Sequence, residues 1–105
     1  MQDTDMREKL VKIIEAYEDV QARMGDPAVL ADQKEYNRLA KEYSNQGPLA
    51  HRAQEYVQAA DDLAAAREML SDADMKEFAL EEIAEIEAKL PALEEDIKFM
   101  LIPAD

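Results

Sequence analysis

The chain has 105 residues, enough for one small domain with a single core that buries roughly 65% of the surface its unfolded form exposes. Hydrophobic residues at 48% exclude a disordered tail, and two Gly and four Pro leave too few turns for a many-stranded sheet. The absence of Cys excludes a disulfide framework, a thiolate metal site and a thiol nucleophile, and a net charge of −13 opposes any approach to a phosphate backbone.

Met1-Gln2-Asp3-Thr4-Asp5 is acidic where a signal peptide would be basic, and no later stretch reaches the 18 or so unbroken apolar residues of a membrane span, so a soluble cytoplasmic domain is expected. Leu10, Ile13, Tyr17, Val20 and Met24 recur in steps of three and four and predict a first helix from about Met6 to Met24. Gly25 is expected to close it in a left-handed cap, and Asp26-Pro27 to open a new turn with Asp26 as N-cap and proline at the first helical position. Asp32 and Glu35 have the spacing of a capping box, and Tyr36, Leu39, Ala40 and Tyr43 share one face of a shorter second helix. Ser44-Asn45-Gln46-Gly47-Pro48 is the most turn-like stretch, and a chain reversal is predicted there.

A third helix carries Leu49, Ala53, Tyr56, Ala60, Leu63 and Leu70 in heptad register, with Arg67 in the seam, and its central alanines invite close approach of a neighbour. Ser71-Asp72-Ala73-Asp74 is a tight connection, with Asp74 and Glu77 repeating the capping-box spacing. The last helix shows the strongest period in the chain: Ala79, Ile83, Ile86, Leu90, Leu93, Ile97 and Met100 alternate steps of four and three. Pro91 lies inside it, predicting a kink between Glu87 and Pro91. No period-two alternation persists. The expected fold is all-α, an elongated antiparallel bundle or coiled-coil hairpin of three to four helices forming a single domain over residues 1–105.

Few residues can carry chemistry. His51, Ser44, Ser71 and Thr4 are the whole stock of histidine, serine and threonine, and His51 beside Arg52 reads as a solvated surface side chain without a role. Glu81, Glu82, Glu85 and Glu87 flank the apolar seam of the last helix; a dimetal bundle site needs Glu-x-x-His pairs, which are missing, so these acids read as a solvated face. Gly25 and Gly47 are isolated, so no phosphate-cradling loop exists. No catalytic, cofactor-binding or metal-ligating residue is expected, and the chain is not expected to be an enzyme. Recognition by surface remains, with Tyr17, Tyr36, Tyr43, Tyr56, Phe78, Phe99 and six methionines as candidates, most of which are expected in the core.

The blocks Met24-Gly25-Asp26-Pro27, Leu30-Ala31-Asp32-Gln33-Lys34-Glu35-Tyr36, Leu39-Ala40-Lys41-Glu42-Tyr43 and Met100-Leu101-Ile102-Pro103 resemble the N-terminal domain of bacterial class I peptide chain release factors, specifically the release factor 1 branch. The resemblance covers essentially the whole chain, and its middle blocks are the more specific part. Pro91, in a helix that usually runs unbroken in this family, and Ala104, where a lysine commonly follows the proline, depart from it. The family's Gly-Gly-Gln loop, which supports hydrolysis of peptidyl-tRNA, and its Pro-x-Thr codon-reading tripeptide are not in this sequence, which therefore looks like an excised domain. The resemblance implies an accessory domain that helps place the factor on the ribosome near the stalk-base protein of the large subunit and that meets the recycling GTPase. The charge adds that such contacts favour basic protein over ribosomal RNA. The rival reading is a stand-alone acidic helical adaptor or a holdase whose seam engages clients.

Overall fold

The computed structural model describes the backbone of residues 2–102 and the side chains of residues 6–102. The acidic side chains before Met6, read against a signal peptide, and Pro103 and Ala104 of the resemblance lie outside the described residues. Among those described, four helices and no strand occur: α1 (Gln2–Met24), α2 (Pro27–Leu30), α3 (Gln33–Met69) and α4 (Lys76–Met100), an all-α fold. The chain divides into two compact units, Met1–Gln54 and Glu55–Asp105.

In the first unit α1 packs on the early turns of α3. Leu10, Tyr17 and Val20 are buried on one side, Leu39, Ala50 and Ala53 on the other, and Leu10 and Leu39 have no exposed surface at all. The connection follows its caps. Asp26 is extended, its Oδ1 accepts from the Ala28 N–H at 2.9 Å, and Pro27 opens α2 where its missing N–H costs nothing. Asp32 then caps α3 through Oδ1 and the Glu35 N–H at 3.2 Å. The reciprocal half of the capping box does not form, because the Asp32 N–H is already bonded to the Val29 carbonyl and Glu35 turns to arginines instead.

Three expectations are corrected in this region. Gly25 is not left-handed, since no described residue has positive φ; its N–H bonds Ala22 O at 3.1 Å in a plain tightened turn. The reversal at Ser44–Pro48 does not exist, because α3 is one helix of 37 residues with Pro48 inside it. The separate helices ending at Tyr43 and starting at Leu49 are therefore one element. The face that buries Leu39 continues without a change of phase through Gly47, Ala50 and Ala53, so packing along this stripe outweighs the turn chemistry of the loop-like residues. Pro48 is exposed, and so is Ser44, whose carbonyl loses its helical donor. Gly47 eases the fit further: the α conformation of a residue before proline is opposed by contact between the proline Cδ and that residue's Cβ, which glycine lacks.

In the second unit the later turns of α3 pack against α4, to which residues 70–75 join them as a tight turn. Tyr56, Ala59, Leu63 and Ala66 face Ala79, Ile86, Leu93 and Ile97 in its core. The heptad positions Ala53, Tyr56 and Leu63 are buried as expected, but Ala66 rather than Arg67 is buried in the turn after Leu63, and Arg67, exposed, reaches sideways to Glu87 at 3.1 Å. The expected cap at Asp74 is also corrected: α4 starts after Met75 with no side-chain cap, and the Asp74 N–H donates to Asp72 Oδ1 at 3.0 Å in a local turn. From Lys76 the helix continues through Pro91 to Met100, with both Pro91 and Glu87 exposed.

Candidate functional site

The most polar arrangement in the first unit surrounds the α1–α2–α3 connection. Arg38, one turn beyond Glu35, meets its carboxylate with two nitrogens, Nε to Oε1 at 2.8 Å and Nη2 to Oε2 at 3.0 Å. Arg23, in the last turn of α1, approaches Glu35 Oε2 at 3.4 Å, and Arg38 also reaches Glu42 at 3.4 Å. The hydrogen bonds of Arg38 and the field of both guanidinium groups hold the Glu35 carboxyl below its ordinary range, outweighing the opposing effect of partial desolvation. This network clips the end of α1 to the start of α3. It keeps Glu35 ionised at neutral pH.

A second cluster lies one to three turns further along. Tyr17 stacks on Tyr43 with ring centres 4.6 Å apart and planes 10° from parallel, and His51 meets Tyr17 edge-on at 5.7 Å. The Tyr17 hydroxyl lies 3.4 Å from His51 Nε2, and a Cβ added at Gly47 would sit 3.7 Å from the same oxygen. Hydrogen bonding to Tyr43 first, then burial, raises the Tyr17 hydroxyl above the ordinary phenol value, so it stays protonated and is no nucleophile. His51 is solvent-exposed, as the sequence suggests, yet it also packs on Tyr17, a partner 34 residues away that no local pattern announces.

In the second unit the four glutamates read as a solvated face keep that character: Glu81, Glu85 and Glu87 are exposed and Glu82 is half-buried. Glu87 pairs with Arg67, and no cluster of three or more His, Cys, Asp or Glu able to hold a metal ion occurs among the described residues. A groove of about 420 Å³ runs beside them, lined by Asp62 of α3 and by Glu82, Glu85, Ile86, Ala88 and Lys89 of α4. The aromatic candidates divide. Tyr17 and Tyr56 are buried and Tyr36 and Tyr43 half-buried, whereas Phe78 is 50% and Phe99 76% exposed. The two phenylalanines, candidates for recognition by surface, are the exposed ones, and the sequence signal that places them outside is their phase, off the Ala79–Ile86–Leu93–Ile97 seam.

The specific sequence blocks thus have structural work to do. Asp26 and Asp32 cap, Glu35 is the centre of the arginine clip, Leu39 fills the core and Tyr43 stacks on Tyr17. Those blocks lie within a longer match: residues 13–105 fit the family described as the PCRF domain. The chain belongs to the PCRF domain family. The family's match, residues 13–105, extends over parts of both units. Curated relatives agree with the resemblance read from the sequence. The chain is 45% identical over 101 residues to peptide chain release factor 1 of Bacteroides thetaiotaomicron and 44% identical over 101 residues to that of Bacteroides fragilis, covering 93% of this chain each time. It is 37% identical over 99 residues to peptide chain release factor 1 of a Sulfurovum species, covering 94% of this chain. The aligned part is only 27% to 28% of these relatives' length. No solved structure matches. No described helix of this PCRF domain is long and apolar enough to cross a membrane.

Proposed function

We propose that these 105 residues act as a single accessory domain of a translation-termination factor, with stop-codon reading and peptidyl-tRNA hydrolysis carried by other segments of such a factor. The carrying observation is the PCRF match over residues 13–105, joined by relatives whose names are peptide chain release factor 1. In this reading the domain works in the cytoplasm, helps place the factor near the stalk-base protein of the large ribosomal subunit and meets the recycling GTPase. It uses no catalytic, cofactor or metal-binding residue of its own and touches neither nucleic acid nor membrane directly. The net charge of −13 supports protein over RNA as its ribosomal contact, because phosphates repel it and basic ribosomal proteins attract it.

The test is competition. In a reconstituted termination assay with stop-programmed ribosomes, an excess of the 105-residue chain is expected to slow release by a full-length release factor 1 while releasing no peptide itself. Crosslinks are expected to reach ribosomal protein. Undiminished release, together with failure of the chain to sediment with ribosomes at low salt, would reject the reading.

A further inference from the structure

Charge is distributed very unevenly between the two units. Met1–Gln54 holds 10 Asp and Glu against 8 Lys and Arg, a net of −2, whereas Glu55–Asp105 holds 15 against 4, a net of −11. Within the second unit the two flanks of α4 also differ. One flank has its acids matched: Glu87 pairs with Arg67 and Glu94 with Lys98. The other follows steps of three and four through Phe78, Glu82, Glu85, Lys89, Ala92, Asp96 and Phe99, and Lys89 is the one basic residue on it.

Three properties coincide on that flank. Phe78 and Phe99 are exposed at its two ends, 21 residues and so roughly 31 Å apart along the helix. The groove beside Asp62, Glu82 and Glu85 lies between them. Ala88 and Ala92 are exposed and small, which lets another backbone come close at mid-length. We propose that this flank of α4 docks a cationic amphipathic helix of a protein partner, with apolar side chains against Phe78, Phe99 and the alanines and Lys or Arg against the acids of the groove.

The charge selects this occupant. A second copy would bring another net of −11, and RNA or an anionic lipid surface would bring more negative charge to a face already short of cations. Apolar anchors at both ends with acidic residues between them are what a helix with one basic and one apolar side satisfies along its length. The inference rests on the electrostatics and exposure of this unit and needs no ribosome, so it can fail while the termination reading stands, and the reverse.

The probe is a synthetic amphipathic helix of Leu and Lys, about 20 residues to match the flank, titrated into the isotope-labelled 105-residue chain and followed by amide shifts. Shifts are expected at Asp62 and between Phe78 and Phe99. A scrambled peptide of the same composition should bind at least about tenfold more weakly, as should the Glu82→Lys/Glu85→Lys and Phe78→Ala/Phe99→Ala double variants with the original peptide. Circular dichroism checks that the variants keep their helices, and the shift map of the unaltered chain is an independent readout. No binding, equal binding of the scrambled peptide, shifts spread over residues 6–54, or indifference to both double variants would overturn the proposal.

Discussion

Glu35 shows how one side chain can be placed by its failure to make the bond its spacing suggests. Once the Asp32 N–H is taken by Val29, the Glu35 carboxylate is available to Arg23 and Arg38, and these hold it ionised. Its carboxyl titrates lower in the folded than in the unfolded chain, so the stabilisation is complete above the ordinary glutamate range and is lost as pH falls through the lowered value. Thermal unfolding of the wild type and Glu35→Gln should therefore differ at neutral pH and converge in acid. The comparison removes the opposite trend from relief of the overall negative charge, which both proteins share. Burial decides the apolar positions. Leu63→Ala and Ile86→Ala should each cost about 2 to 5 kcal/mol in chemical denaturation, because both side chains lie in the core of their unit, whereas Glu82→Ala should be nearly silent for stability.

At the scale of the element, α1 and α4 were legible because their apolar positions keep an unbroken period, whose central members the structure buries, although Met100 at the end of the α4 period is exposed. The Asp26-Pro27 start was legible because a cap and a proline at the first position are satisfied locally, within two residues. Asp26→Ala should cost about 1 kcal/mol and loosen α2 in hydrogen exchange. The Ser44–Pro48 stretch was misread for the opposite reason: its residues favour a turn, while the reason for helix is nonlocal, a continuous buried stripe against α1. Pro48→Ala restores a donor at an exposed position and should raise stability by about 1 to 3 kcal/mol. At Pro91 the same donor is missing, and residual dipolar couplings should show a bend between residues 76–87 and 91–100 of more than about 20° that Pro91→Ala reduces. Of the candidate site, the acids of α4 were readable as a solvated face and Phe78 and Phe99 as surface candidates by their phase, but the groove was not. A search for heptads reports the side of a helix that is covered and is silent on how its two flanks differ.

At the scale of the whole molecule, the unequal charge of the two units predicts unequal responses to salt. Raising ionic strength from about 0.02 M to about 0.3 M shortens the screening length severalfold and should relieve repulsion where the net charge is −11 far more than where it is −2. Amide exchange should slow in residues 55–102 and change little in residues 6–54. A uniform response would mean that the surplus of acids is already neutralised by bound counterions. The same asymmetry explains why overall charge, read from the sequence as a single number, opposes a phosphate backbone for the chain as a whole but does not reveal that the surplus of acids lies in one unit.

The pair Gly47-Pro48 has a consequence for how such a sequence can change over generations. Neither glycine has a left-handed backbone, and at Gly47 a methyl group would meet only an ordinary contact with Tyr17. The obstacle to alanine there is its neighbour. Replacing Gly47 first places a Cβ against the proline ring, while replacing Pro48 first removes that conflict and lets alanine at 47 add its helix propensity, about 1 kcal/mol. The two substitutions are therefore order-dependent: a lineage can discard the proline at any time, but the glycine profitably only afterwards.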